Sequence, residues 1–166
     1  MEPYELTYSV DLVFCIDATG SMRHVLEMVK HNATRLHEDI QHAMAKKNRS
    51  ISKMRIRVIA FRDYLTDGEQ AMMASDFFTL PEQTQPFHDC VNGITAQGGG
   101  DIPEDGLEAL AYAIRSDWTR EGIKRRHIIV VWSDAPTHTL GHAKIAPWYP
   151  EGMAKDFEEL SLWWED

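Results

Sequence analysis

Apolar residues fall along this chain in two periods. Val10 to Asp17, Met54 to Phe61 and His127 to Trp132 are short runs rich in Val, Ile and Phe, and each predicts a buried strand. The first and third are nearly continuous, as expected of central parallel strands covered on both faces. The second begins with alternation through Arg55 and Arg57, which predicts a place nearer the sheet edge. Asp76 to Leu80 is a weaker fourth strand, stopped by Pro81.

Helical spacing lies between these runs. Ser21 to Lys46 carries Met22, Val25, Leu26, Val29, Ala33, Leu36, Ile40 and Met44, one apolar stripe at steps of three and four. Pro103 to Asp117 repeats the register with Leu107, Leu110, Ala111 and Ile114, and Pro103 suits a first helical turn. Gln83 to Ile94 and Asp156 to Trp164 predict shorter helices. Strand alternating with helix predicts an α/β fold, with a Rossmann-like, mostly parallel central sheet and helices on both faces. Thr66-Asp67-Gly68, Gln97 to Gly100 and Ala135 to Gly152 are expected to be loops. The last holds three prolines and is long enough to be functional or mobile.

Composition narrows the function. The 166 residues suit one domain, taken as 7–166 after a short N-terminal extension over 1–6. The net charge of −9 argues against a nucleic-acid binder and against docking on an anionic membrane. It does not argue against a cation site. The two cysteines, Cys15 and Cys90, imply no disulfide framework, and Cys15 within an apolar run predicts a buried thiol. Residues 1–5 do not have the pattern of a signal peptide, no apolar run approaches membrane-spanning length, and a cytoplasmic location is expected.

In an open parallel sheet, ligands bind beyond the carboxyl ends of the strands. Asp17, Thr19 and Ser21 follow the first strand, Arg62-Asp63-Tyr64 the second and Ser133-Asp134-Ala135-Pro136 the third. The Gly98-Gly99-Gly100-Asp101 stretch could face the same edge. Oxygen-bearing side chains from four stretches therefore converge, and oxygen is what a hard cation takes.

Here a resemblance becomes specific. Asp17-Ala18-Thr19-Gly20-Ser21 resembles the first motif of the metal-ion-dependent adhesion site in von Willebrand factor A domains. Gly98 to Asp105 resembles the family's second loop, in the branch that carries Gly-Gly-Gly-Asp-x-Pro-Glu. Ser133-Asp134-Ala135-Pro136 resembles the third loop. Phe61-Arg62-Asp63-Tyr64 and Asp134-Ala135-Pro136-Thr137-His138 fit the branch found near alpha-kinases and in bacterial relatives.

The resemblance, over roughly residues 9 to 160, implies a metal-dependent protein-binding module with no catalytic residues. Its ligands would be Asp17, Thr19, Ser21, Asp101 and Asp134, supported by Asp63, Ser133 and His138. Asp101 falls near the threonine position of other members. The cofactor implied is Mg²⁺, with Mn²⁺ and Ca²⁺ as alternatives, and the partner a protein offering Asp or Glu. Family members usually continue into one more strand and a final helix, which this sequence does not show, so a shortened fold is expected. Trp163-Trp164 on the last helix then predicts a homodimer or larger complex.

Blander readings stand beside these. Asp17, Thr19 and Ser21 are good helix caps. Asp101 heads a near capping box, Asp134 suits a turn, and Asp63 could pair with Arg62 or close a turn. His138 and His142 invite a zinc reading, but surface or loop histidines are the simpler account. Two other functions remain: a Mg²⁺-dependent phosphatase of haloacid-dehalogenase type, although Thr19 stands where its second aspartate belongs, and a structural interaction domain whose metal site is unused.

Overall fold

The computed structural model describes residues 6–98, 105–122, 124–134 and 136–165. Strand β1 (Leu6–Asp17) pairs in parallel with β2 (Arg49–Phe61) on one side and with β5 (Arg125–Trp132) on the other. Two short strands, β3 (Met72–Ala74) and β4 (Phe78–Leu80), run antiparallel to β2, giving the order β3-β2-β1-β5. The sheet is therefore mostly parallel, in a fold that is α/β.

Alternation along β1 divides the core. Val10, Leu12, Phe14 and Ile16 face one side, where Leu26, Val29 and Ala33 of α1 (Leu26–Ala45) and Phe87 and Val91 of α3 (Thr84–Asn92) close over them. Val13 and Cys15 face the other side, against Ala109 and Ala113 of α4 (Gly106–Ile114). Helix α5 (Phe157–Glu165) packs Leu160 against Ala111 of α4. Burying a large apolar side chain contributes about 1.5–3 kcal/mol. The fully enclosed Phe14, Leu12 and Ile16 therefore make β1 the spine of the molecule.

The sheet reverses one expectation. β2 lies inside the sheet and β5 lies at its end, with Val131 48% exposed. The polar alternation of β2 does not mark an edge, because its arginines are satisfied within the fold. Arg55 grips Asp11, while Arg57 donates to the Ser75 and Tyr112 carbonyls and to the Ser116 hydroxyl.

The helix expected over 21–46 is divided into a 3-10 turn, Gly20–His24, and α1. The Gly20 amide is drawn away to the Gly98 carbonyl at 3.1 Å, and Val25 at the junction has φ −119, outside helical range. The expected loop at 66–68 is helical instead, with α2 (Tyr64–Asp67) running into a second 3-10 turn, Gly68–Ala71. The helix predicted from Pro103 is seen from Gly106; residues 99–104 lie outside the described residues. The long stretch after β5 has little regular structure but is anchored, with Ala143, Ala146 and Tyr149 packed on Tyr64 and Ala71.

Candidate metal centre

The three parallel strands end side by side, and Asp17 stands in register with Phe61. Asp17 is fully buried. Its Oδ1 accepts from the Thr19 amide at 3.0 Å and from the Thr19 hydroxyl at 2.6 Å. Its Oδ2 accepts from the Ser133 hydroxyl at 2.9 Å. Thr19 and Ser21 hydroxyl oxygens are 3.1 Å apart, and Ser21 donates to Asp134 Oδ1 at 3.2 Å. Five oxygen-bearing side chains from the loops after β1 and β5 thus form one chain of contacts. Asp17 and Thr19 make a buried floor, and Ser21, Ser133 and Asp134 are exposed.

The donor set fits a hard cation. A hydroxyl has a single proton. Thr19 and Ser21 have two protons between them for three contacts, one to Asp17, one to Asp134 and one to each other. One of the three contacts therefore brings lone pairs face to face. A cation relieves that arrangement, and two carboxylates with three hydroxyls are the oxygen ligands Mg²⁺ takes. The capping alternative is met in part: Asp17 Oδ1 accepts from the Thr19 amide, while Thr19, at the head of the 3-10 turn that follows, makes no side-chain cap bond. Asp101 and Ala135 lie outside the described residues.

The remaining candidates are placed elsewhere. Asp63 does not pair with Arg62 but closes the turn into α2, its Oδ1 accepting from the Leu65 amide at 2.9 Å. His138 is not a surface histidine. It is buried, its Nε2 is 3.6 Å from Asp63 Oδ2, and the exposed His142 ring stacks on it at 3.9 Å. The side-chain contacts of Asp63 and His138 run to the Leu65 amide, to each other and to His142, rather than to Asp17, Thr19, Ser21 or Asp134.

Sequence reasoning did not assign three residues beside this edge. Arg62 is buried and donates to the Ala18, Gln70 and Thr95 carbonyls at 3.0, 2.8 and 2.7 Å, tying three loops together. Burial holds its pKa below the usual arginine value. Asp105 is wholly buried; its Oδ2 accepts from the Tyr64 amide at 2.6 Å, and burial pushes its pKa up to about 6. Glu108, also wholly buried, accepts from the Gly141 amide and the Tyr149 hydroxyl. Helical periodicity alone puts Glu108 beside an apolar stripe, with no signal that it turns inward.

Fold and edge geometry define a Rossmann-like domain with a cluster of oxygen-bearing side chains at the strand ends. Residues 11–138 match the family model of the von Willebrand factor A domain, and the chain belongs to that family. It is 28% identical over 143 residues to the alpha-protein kinase vwkA of Dictyostelium discoideum, covering 86% of this chain and 21% of that protein. It is 28% identical over 135 residues to the ariadne-like RING finger protein R811 of Acanthamoeba polyphaga mimivirus, covering 81% of this chain and 12% of that protein. The chain therefore spans only a small part of these relatives. Two crystal structures of the pilus adhesin SpaC from Lactobacillus rhamnosus GG superpose with TM-score 0.54 at 16% and 15% identity. They cover 76% of this chain and 14% and 15% of the adhesin, a likeness of fold alone. No described helix is long and apolar enough to cross a membrane.

Proposed function

We propose that this domain is a cation-dependent protein-binding module. Asp17, Thr19, Ser21 and Asp134 hold Mg²⁺ at the carboxyl edge of the sheet, with Asp101 as a further ligand, and a partner's Asp or Glu completes the coordination. The observation that carries the reading is the run of contacts Asp17–Thr19–Ser21–Asp134, in which two hydroxyl protons serve three oxygen–oxygen contacts. Ser133 orients Asp17 through its hydroxyl. The exposed Ser21 and Asp134 leave the cation open to a partner. Bound there, Mg²⁺ supplies a positive centre for a carboxylate.

The relatives support a modular role, since matching segments sit within a kinase and a RING finger protein, both far longer than this chain. The SpaC neighbour is an adhesin. Nothing favours the haloacid-dehalogenase alternative. The position its second aspartate would occupy is Thr19, whose hydroxyl donates to Asp17 and offers no general acid.

The test is retention of immobilised peptides bearing Asp or Glu, beside matched Asn or Gln peptides, in Mg²⁺ and in excess chelator. Carboxylate peptides should be retained only with Mg²⁺. Equal retention with chelator would overturn the metal-bridged reading and favour a structural domain whose metal site is unused.

A further inference from the structure

Beside the first site, on the neighbouring strand end, three side chains remain that the adhesion-type centre does not use. We propose that Asp63, Asp105 and His138 form a second metal site, for a divalent transition-metal ion of the Zn²⁺ class. Asp63 follows β2, Asp105 precedes α4, and His138 lies in the stretch after β5. Each offers one ligand atom, and these atoms lie within 4.8 Å of one another. All three residues are buried, with 2%, 0% and 6% of their surface exposed.

The hydrogen bonding leaves the right atoms over. Asp63 spends Oδ1 on the Leu65 amide and Asp105 spends Oδ2 on the Tyr64 amide. Those amides fix both carboxylates, as outer partners fix metal ligands. Asp105 Oδ1 and His138 Nε2 are then buried without any hydrogen-bond partner. Asp63 Oδ2 stands 3.6 Å from His138 Nε2, too far for a hydrogen bond. Donors about 2.1 Å from a tetrahedral ion lie about 3.4 Å apart, so that pair already has ligand spacing.

Charge points the same way. Glu108, wholly buried, adds a third carboxylate and leaves Oε2 unpartnered. Among the described residues no lysine or arginine forms an ion pair with any of these carboxylates. Buried charge of one sign is costly unless a cation or protons offset it. The imidazole nitrogen sets this group apart from the all-oxygen first site and favours zinc-class ions over Mg²⁺ or Ca²⁺. No cysteine takes part. An ion here ties the ends of β2 and α4 to His138, four residues beyond Asp134, and so steadies the loop that carries Asp134.

The test is zinc binding by the full chain in excess MgCl₂, measured by calorimetry and by metal content after dialysis. Wild type and Asp17→Ala should each hold one Zn²⁺. His138→Gln and Asp105→Asn should each bind it at least about tenfold more weakly. Co²⁺ in place of Zn²⁺ should give visible absorption bands that His138→Gln lacks. Circular dichroism checks that each variant is folded; if one fails, the other and the zinc-induced rise in Tm of Asp17→Ala decide. No Zn²⁺ on wild type, zinc lost with Asp17→Ala, or zinc unchanged in both His138→Gln and Asp105→Asn would overturn the site. Failure of Mg²⁺ to bind at Asp17 would leave this result intact, so the two proposals fail separately.

Discussion

The Ser21 hydroxyl reaches Asp134 Oδ1 at 3.2 Å, joining the loop after β1 to the loop after β5. The second link between those loops, Ser133 to Asp17 Oδ2 at 2.9 Å, lies deeper. The two bonds hold both carboxylates of the proposed Mg²⁺ site in one place before any cation arrives.

Ser133→Ala tests that preorganisation. The Ser133 hydroxyl donates to the wholly buried Asp17 carboxylate, so its loss should cost about 1–3 kcal/mol of stability. Asp17 Oδ2 loses an orienting donor, and Mg²⁺ affinity should fall roughly tenfold. Calorimetry reads both affinities, and equal values would show that the bond orients nothing of consequence.

Gly98 tests how the second loop is seated. Its φ is +69, and a Cβ there would collide with the Asp67 carboxylate. The Gly98 carbonyl also accepts from the Gly20 amide beside the site. Gly98→Ala should cost at least about 1–2 kcal/mol, from the left-handed backbone alone, and should weaken Mg²⁺ binding as well. A urea melt at wild-type midpoint would contradict the strain.

Buried Asp11 and half-buried Arg55 form a bidentate pair, with Nε to Oδ1 at 3.0 Å and Nη2 to Oδ2 at 2.9 Å. Burial by itself would raise the Asp11 pKa, but Arg55 and the Thr119 amide and hydroxyl together bring it below the usual value. Its contribution to stability is therefore present above the unfolded value, about 3.9. It is lost as the pH falls through the lower folded value. Asp11→Ala should cost about 1.5–3 kcal/mol at pH 7 by urea unfolding. It should also lessen the loss of stability in acid. An unchanged acid limb would show that Asp11 does not carry it.

Cys15 is enclosed by the sheet and α4, and burial pushes its thiol up to about 12. Only the thiolate reacts. A thiol reagent at pH 8 should therefore leave Cys15 untouched until the protein is unfolded. Rapid native labelling at Cys15, located by peptide mapping, would contradict its placement.

The proposed first site could be read from the sequence because its residues sit where strands end. Asp17 and Asp134 each close an apolar run, and strand ends are where a parallel sheet gathers ligands. Position in the sheet was harder to read. Arg55 and Arg57 look like edge alternation until Asp11 and Ser116 are seen to satisfy them. His138 and Glu108 were harder still, because their burial depends on a loop of little regular structure folding back over Tyr64. No periodicity along the chain encodes that contact.

The central claim is that Asp17, Thr19, Ser21 and Asp134 hold Mg²⁺. Calorimetric titration of MgCl₂ into the wild-type chain and into Asp17→Ala tests it most directly. The account predicts one bound Mg²⁺ on wild type and none on the variant. No binding to wild type, or the same Kd for both, would contradict it.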